Sequence, residues 1–115
     1  MNQIEITFNA FDKEHKARFW KSNYANNGNL YVGIMTWNEV DECWESWSDL
    51  TVNLGITCLP GTAFIDTNNC SGEIITTLAD KGYIQNTGFA MPSGFCMYPM
   101  VEFSEEFLNG MIEQN

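Results

Sequence analysis

Cys70 is the residue in this chain best placed to act as a nucleophile. It follows Asp66-Thr67-Asn68-Asn69 and precedes a helix-forming run. A helix N-terminus lowers a thiol's pKa and raises the fraction of thiolate, the reactive form. The same position suits a small buried residue that anchors the helix, with Asn68, Asn69 or Ser71 as caps. That anchoring role is the expectation here, and a cysteine-dependent enzyme using Cys70, with Asp66 beside it, is the alternative. A Ser-His-Asp or Cys-His arrangement needs a histidine, and His15 is the only one. It lies between Glu14 and Lys16 in an expected turn, so it reads as a solvent-facing residue. Fifteen acids offer too many pairings to single out two carboxylates for acid–base work.

Metal and nucleotide chemistry find less support. Cys43, Cys58, Cys70 and Cys96 are separated by 15, 12 and 26 positions, with no C-x-x-C. A structural zinc site needs a closer ligand pair. Isolated glycines at Gly82 and Gly94 do not make a phosphate-binding loop. No metal and no organic cofactor is expected, and the cysteines read as core-filling thiols.

A third constellation is acidic. Glu39, Asp41, Glu42, Glu45 and Asp49 fall within eleven residues, close to Trp37, Trp44 and Trp47, with no base among them. Duplex DNA carries about one negative charge per 1.7 Å of axis, and a rigid array of carboxylates can imitate that pattern. Neighbouring aromatics supply an interface with anchors. These eight residues are the expected partner-binding surface. The wider charge balance agrees: the chain carries −10 overall. Residues 1–21 hold four bases against three acids, while residues 22–115 hold twelve acids and Lys81 alone. Such a surface repels nucleic acid and anionic membranes and attracts a basic protein. The basic stretch from Lys13 to Lys21 reads as a counterion to the chain's own acids.

These side chains must be positioned by strands and short helices. Ile4, Ile6 and Phe8 alternate with polar residues, which predicts a half-buried strand. A turn at 12–14 and a returning strand over 16–24 follow. Asn26-Asn27-Gly28-Asn29 is a turn, because Asn and Gly tolerate positive φ. Residues 30–37 read as a strand. Val40, Cys43, Trp44, Trp47 and Leu50 also fit helical spacing, with Asn38 as cap, but the alternation of Leu50, Val52 and Leu54 favours a hairpin with an acidic tip and a strand over 44–54. A short strand over 62–66, a helix over 72–81 closed by Gly82, a loop over 85–94 and a strand over 95–103 complete the reading. Pro99 requires an edge or a bulge. Ser104 caps a last helix that carries Phe107, Leu108, Met111 and Ile112. The expected class is α+β: a single domain over 1–115, with an antiparallel sheet of about five to six strands and two helices on one face. No apolar run approaches the length of a membrane span, and Met1–Glu5 has no secretory pattern, so a cytoplasmic setting with reduced thiols is expected.

Four segments carry a family likeness: Tyr24-Ala25-Asn26-Asn27-Gly28-Asn29-Leu30, Leu50-Thr51-Val52-Asn53-Leu54, Ala63-Phe64-Ile65-Asp66-Thr67-Asn68-Asn69-Cys70 and Ser93-Gly94-Phe95-Cys96-Met97-Tyr98-Pro99. Over residues 24–103 the chain resembles an uncharacterised family of small bacterial proteins encoded on conjugative elements and other mobile DNA. It departs from that pattern at 37–49, where the acidic, Trp-rich stretch is longer. The likeness implies a setting and assigns no residue a role. Mobile elements often carry small acidic inhibitors of host restriction or CRISPR nucleases. The resulting expectation is a non-enzymatic acidic inhibitor that binds the basic nucleic-acid channel of a bacterial defence nuclease complex without binding nucleic acid itself. A structural or regulatory module of a conjugative element is a further alternative.

Overall fold

The computed structural model describes residues 3–114. Met1 and Asn2, on which part of the leader reading rests, lie outside them. Alternation at the N-terminus produces β1 (Glu5–Ala10), whose Ile6 and Phe8 are buried and whose Glu5, Thr7 and Asn9 are exposed. A two-residue turn at Phe11 and Asp12 leads to β2 (Lys13–Asn23), then β3 (Leu30–Asn38) and β4 (Cys43–Asp49), each antiparallel to the last. These strands form one sheet in the order β1-β2-β3-β4, and β9 (Ile112–Glu113) adds a short parallel pairing to β2. A second sheet has the order β5-β6-β8-β7, from β5 (Thr51–Val52), β6 (Thr62–Ile65), β7 (Ile84–Ser93) and β8 (Cys96–Phe103). Helices α1 (Gly72–Asp80) and α2 (Glu105–Asn109) complete the described residues.

The fold is α+β and mostly antiparallel, as expected, but the sheets number two where one was expected. The expected strand over 44–54 is split at Leu50. Its N–H donates to Val32 O in the first sheet and its C=O accepts from Asp66 N in the second, both at 2.9 Å. Leu50 is fully buried, and the chain changes sheets there. One apolar core serves both sheets: Ile6, Phe8, Phe19, Val32 and Ile34 meet Ala63, Ile65, Val101 and Phe103, with Ile74 and Leu78 of α1 and Phe107 of α2. The ring of Phe107 meets Phe19 edge-on at 5.0 Å and stacks on Tyr83 at 5.1 Å.

Two local expectations are corrected. Residues 85–94, expected as a loop, are almost all strand: β7 pairs with β8 along both its ends. Its Gly and Pro are tolerated because β7 is an outer strand with a break in register between Asn86 and Ala90. Pro99 sits beside that break, as its missing N–H requires. The last helix ends at Asn109, and Ile112, expected inside it, lies in β9. Gly110 is the reason for the close fit there: a Cβ on it would come within 2.5 Å of Ile4. Ser104 caps α2 as expected, accepting from Phe107 N at 3.1 Å.

Candidate functional site

The β3–β4 hairpin carries all eight residues expected to bind a partner. Its turn spans Glu39 to Glu42 and is organised by Asn38, the last residue of β3. The Asn38 Oδ1 accepts from Val40 N at 2.9 Å and Asp41 N at 3.1 Å. Its Nδ2 donates to Asp41 Oδ2 at 3.3 Å and to Glu45 Oε2 at 3.2 Å. An Asn that could have capped a helix instead folds a tight turn by the same physics, an amide oxygen satisfying backbone donors two and three residues ahead. Glu39, Asp41, Glu42 and Glu45 are exposed around it.

The tryptophans divide between the two faces of the sheet. Trp37 and Trp44 are cross-strand partners on the outer face, half-buried, with ring centroids 5.5 Å apart in an edge-to-face pair. The Arg18 guanidinium lies over Trp44, 4.3 Å from the ring centroid, and also pairs with Glu5 at 3.0 Å. Trp47 points the other way. It stands at the register break between Ile34 and Met35 and packs on Phe8 at 5.5 Å and on His15 at 5.1 Å. In a regular strand Trp47 and Asp49 would share a face. Alternation from Trp44 already sets Trp47, three residues on, on the inner face, and the bulge returns Asp49 to the outer face, where it accepts the Tyr31 hydroxyl. Burial, the hydrogen bond and the negative charge of Asp49 together push the Tyr31 phenol far above its usual range.

The acids are therefore not one continuous array. Glu39, Asp41, Glu42 and Glu45 gather at the tip, and Asp49 stands at the far end of β4, occupied by Tyr31. Sequence reasoning missed two neighbours. The β1–β2 turn lies at the same end of the sheet, so Lys13 and Lys16 line a small cavity of about 70 Å3 with Glu14, His15, Trp37 and Glu39. Among the described residues Arg18–Glu5 is the ion pair, Lys21 donates to Leu108 O at 2.9 Å, and Lys13 and Lys16 are exposed. The basic stretch thus neutralises fewer of the chain's acids than expected. His15 is likewise half-buried between Phe8 and Trp47, and its Nε2 lies 3.1 Å from Ala10 O, so it is not a free surface residue.

Of the four cysteines expected to fill the core, Cys70 alone is buried, while Cys43 is exposed and Cys58 and Cys96 are half-buried; Ser71 stands at the N-cap of α1 but makes no side-chain cap bond. Cys70 is buried in the core, and burial together with the nearby Asp66 charge pushes its thiol up to about 12. It is protonated at neutral pH, the reverse of an activated nucleophile. Asp66 is itself engaged: Oδ1 accepts from Asn69 N at 3.2 Å and Oδ2 from Asn69 Nδ2 at 3.1 Å, which holds the 66–70 turn. Among the described residues no three His, Cys, Asp or Glu side chains come together as a metal site. No helix of the structure is long and apolar enough to cross a membrane.

Two of the segments that carried the likeness, 24–30 and 50–54, meet in space. Tyr24 and Thr51 share a hydroxyl hydrogen bond of 3.1 Å. Asn53 receives Asn27 Nδ2 at 3.0 Å and donates to Asn26 Oδ1 at 3.0 Å. Asn29, buried, donates to Ile56 O at 2.6 Å and accepts from Cys58 N at 2.9 Å. These amides clamp the β2–β3 loop to the segment after β5. Residues 21–114 match the family described as a domain of unknown function (DUF4313). The chain belongs to that family. No curated protein and no solved structure matches it. The DUF4313 span begins at Lys21, so β1 and most of β2, with Arg18 and the lysines beside Glu39, lie outside the matched region.

Proposed function

We propose that this protein is a non-enzymatic binding module that docks the acidic tip of β3–β4 on a basic protein surface. The observation that carries the reading is the Asn38-centred turn, which bonds the carboxylates of Asp41 and Glu45 and fixes the backbone beside the exposed Glu39 and Glu42. Carboxylates held in advance lose little entropy on binding. Several of them facing a desolvated basic patch raise both the encounter rate and the specificity. Trp44, half-buried on the adjoining outer face, supplies an aromatic contact beside the charges.

The target we propose is the basic nucleic-acid channel of a bacterial defence nuclease complex, of the restriction or CRISPR type. The net charge of −10 and the earlier likeness to proteins of mobile DNA support it. The tip is compact, so it would fill a short stretch of the channel and not track a long duplex. Trp47, packed inside, belongs to the scaffold of this surface. The test is inhibition of purified nuclease complexes by the wild type and by a Glu39→Lys, Glu42→Lys, Glu45→Lys variant. Inhibition by the wild type that the variant loses supports the reading. Equal inhibition by both proteins, or none by either, removes it.

A further inference from the structure

From Ile84 to Val101 the sequence holds eighteen residues without a single Asp, Glu, Lys, Arg or His, in a chain of net charge −10. This stretch is nearly the whole β7–β8 hairpin. The pairing of β6 with β8 stops at Met100, while β7 and β8 continue together to Ser93 and Cys96. Residues 90–99 therefore extend past β6 as a two-stranded ribbon. Phe95 at its tip is fully exposed, and Phe89 and Met97 are more than half exposed. Register places Met97 opposite Pro92 and Tyr98 opposite Met91, so apolar side chains lie on both faces of the ribbon.

The register break is built, not frayed. Thr87 Oγ1 donates to Met100 O at 3.0 Å and accepts from Phe89 N at 3.2 Å, and Asn86 Oδ1 accepts from Gly88 N at 2.8 Å. Gly88 has φ +89°, a conformation few other residues adopt. The result sets Phe89 beside Phe64, ring centroids 6.2 Å apart. Outer strands commonly carry charges that keep another chain from pairing. β7 has none. Pro92 removes a backbone donor and the break interrupts the ladder, so contact here runs through side chains and not through strand addition.

We propose that this ribbon is the contact between two copies of the chain. Charge decides the occupant. An isologous contact sets one patch against the same patch of its partner. An acidic patch repels its own copy, whereas this ribbon meets its copy with no charge on either side. Large aromatic side chains bury about 150–250 Å2 each, so Phe89, Phe95 and Met97 contribute roughly 400 Å2 per copy at their observed exposures. The total of about 800 Å2 falls short of the roughly 1,200–2,000 Å2 of stable complexes, so the contact is a weak, concentration-dependent dimer. Exposed apolar side chains gathered on an uncharged arm are the usual mark of such a surface.

Salt separates this contact from the acidic tip. Screening relieves the mutual repulsion of two −10 chains and tightens the dimer, while it weakens a charge-driven complex. The experiment is sedimentation velocity on the full chain from micromolar to millimolar concentration, at low and high salt. The expected result is a monomer–dimer equilibrium that strengthens with salt and weakens at least about tenfold in Phe95→Asp. The Glu42→Lys variant is expected to associate at least as well as the wild type. Near-UV circular dichroism confirms that Phe95→Asp, altered at an exposed tip, keeps its fold. A wild type that stays monomeric at every concentration overturns the proposal. So does a Phe95→Asp protein that dimerises as tightly as the wild type. A monomeric wild type that binds phosphatidylcholine vesicles through the ribbon also overturns it, and assigns the ribbon to a lipid surface.

Discussion

The side-chain amide of Asn38 reaches across the neck of the β3–β4 hairpin to Glu45 Oε2 at 3.2 Å. The same side chain accepts two backbone donors from the turn. Asn38→Ala removes all of these bonds and is expected to cost about 1 kcal/mol, the usual loss for such a capping side chain. Chemical denaturation reads the cost. Asn38→Asp keeps the acceptor but sets a third carboxylate beside Asp41 and Glu45, and is expected to cost more at pH 7 than at pH 3.

Gly33 lies under the indole of Trp20. A Cβ at that position would come within 2.3 Å of the Trp20 ring nitrogen and 2.9 Å of the Tyr31 hydroxyl oxygen. Gly33→Ala is therefore expected to displace Trp20 and destabilise the sheet by about 1–3 kcal/mol, the range for overpacking. A shift in tryptophan emission accompanying a lower denaturation midpoint checks this. An unchanged spectrum and midpoint would show that the ring has room.

The inward position of Trp47 changes what its mutation does. Trp47→Ala opens a hole beside Phe8 and His15 and is expected to cost about 2–4 kcal/mol, somewhat below a fully buried Trp because the ring is half-buried. The loss appears in unfolding experiments. Trp44→Ala, on the outer face, is expected to leave the fold nearly intact and to speed dissociation from the partner.

Cys70 links stability to pH. Its folded thiol titrates at about 12 against an ordinary value of 9.0. The native state thus keeps a proton that the unfolded chain releases. This contribution is fully present below pH 9 and declines as pH rises toward 12. Cys70→Ala is expected to flatten that part of the stability–pH curve. Alkylation of Cys70 in the folded protein at pH 7 is expected to be slow, and rapid labelling would contradict its assignment as a buried anchor.

Much of the scaffold was legible where a single local rule governs. The alternation of Ile6 and Phe8, the Ile74–Leu78 spacing ahead of Gly82, and Ser104 before two glutamates each fixed an element. The hairpin at 38–49 was legible from the alternation that follows it. What escaped was decided at a distance. Leu50 changes sheets through bonds to Val32 and Asp66, which no local pattern reports. The bulge that returns Asp49 to the outer face depends on β3's register. The β7 strand hides behind Gly, Pro, Asn and Ser, residues that read as loop unless the strand lies at an edge. The acids of the candidate site were visible in sequence. The nearness of Lys13 and Lys16 to Glu39 was not, because it arises from two hairpin turns at one end of a sheet.

The most direct test of the central claim is equilibrium binding to a purified defence nuclease complex across a salt series, with and without its nucleic acid. Exposed charges are screened beyond about 8–10 Å at physiological ionic strength, so affinity is expected to fall steadily as salt rises. Prebound nucleic acid is expected to compete. The Glu39→Lys, Glu42→Lys, Glu45→Lys variant is expected to lose most of the affinity and the salt dependence, mainly through slower association. Affinity that ignores salt, nucleic acid and the triple reversal alike would contradict the account and leave the acidic tip with a solubilising role alone.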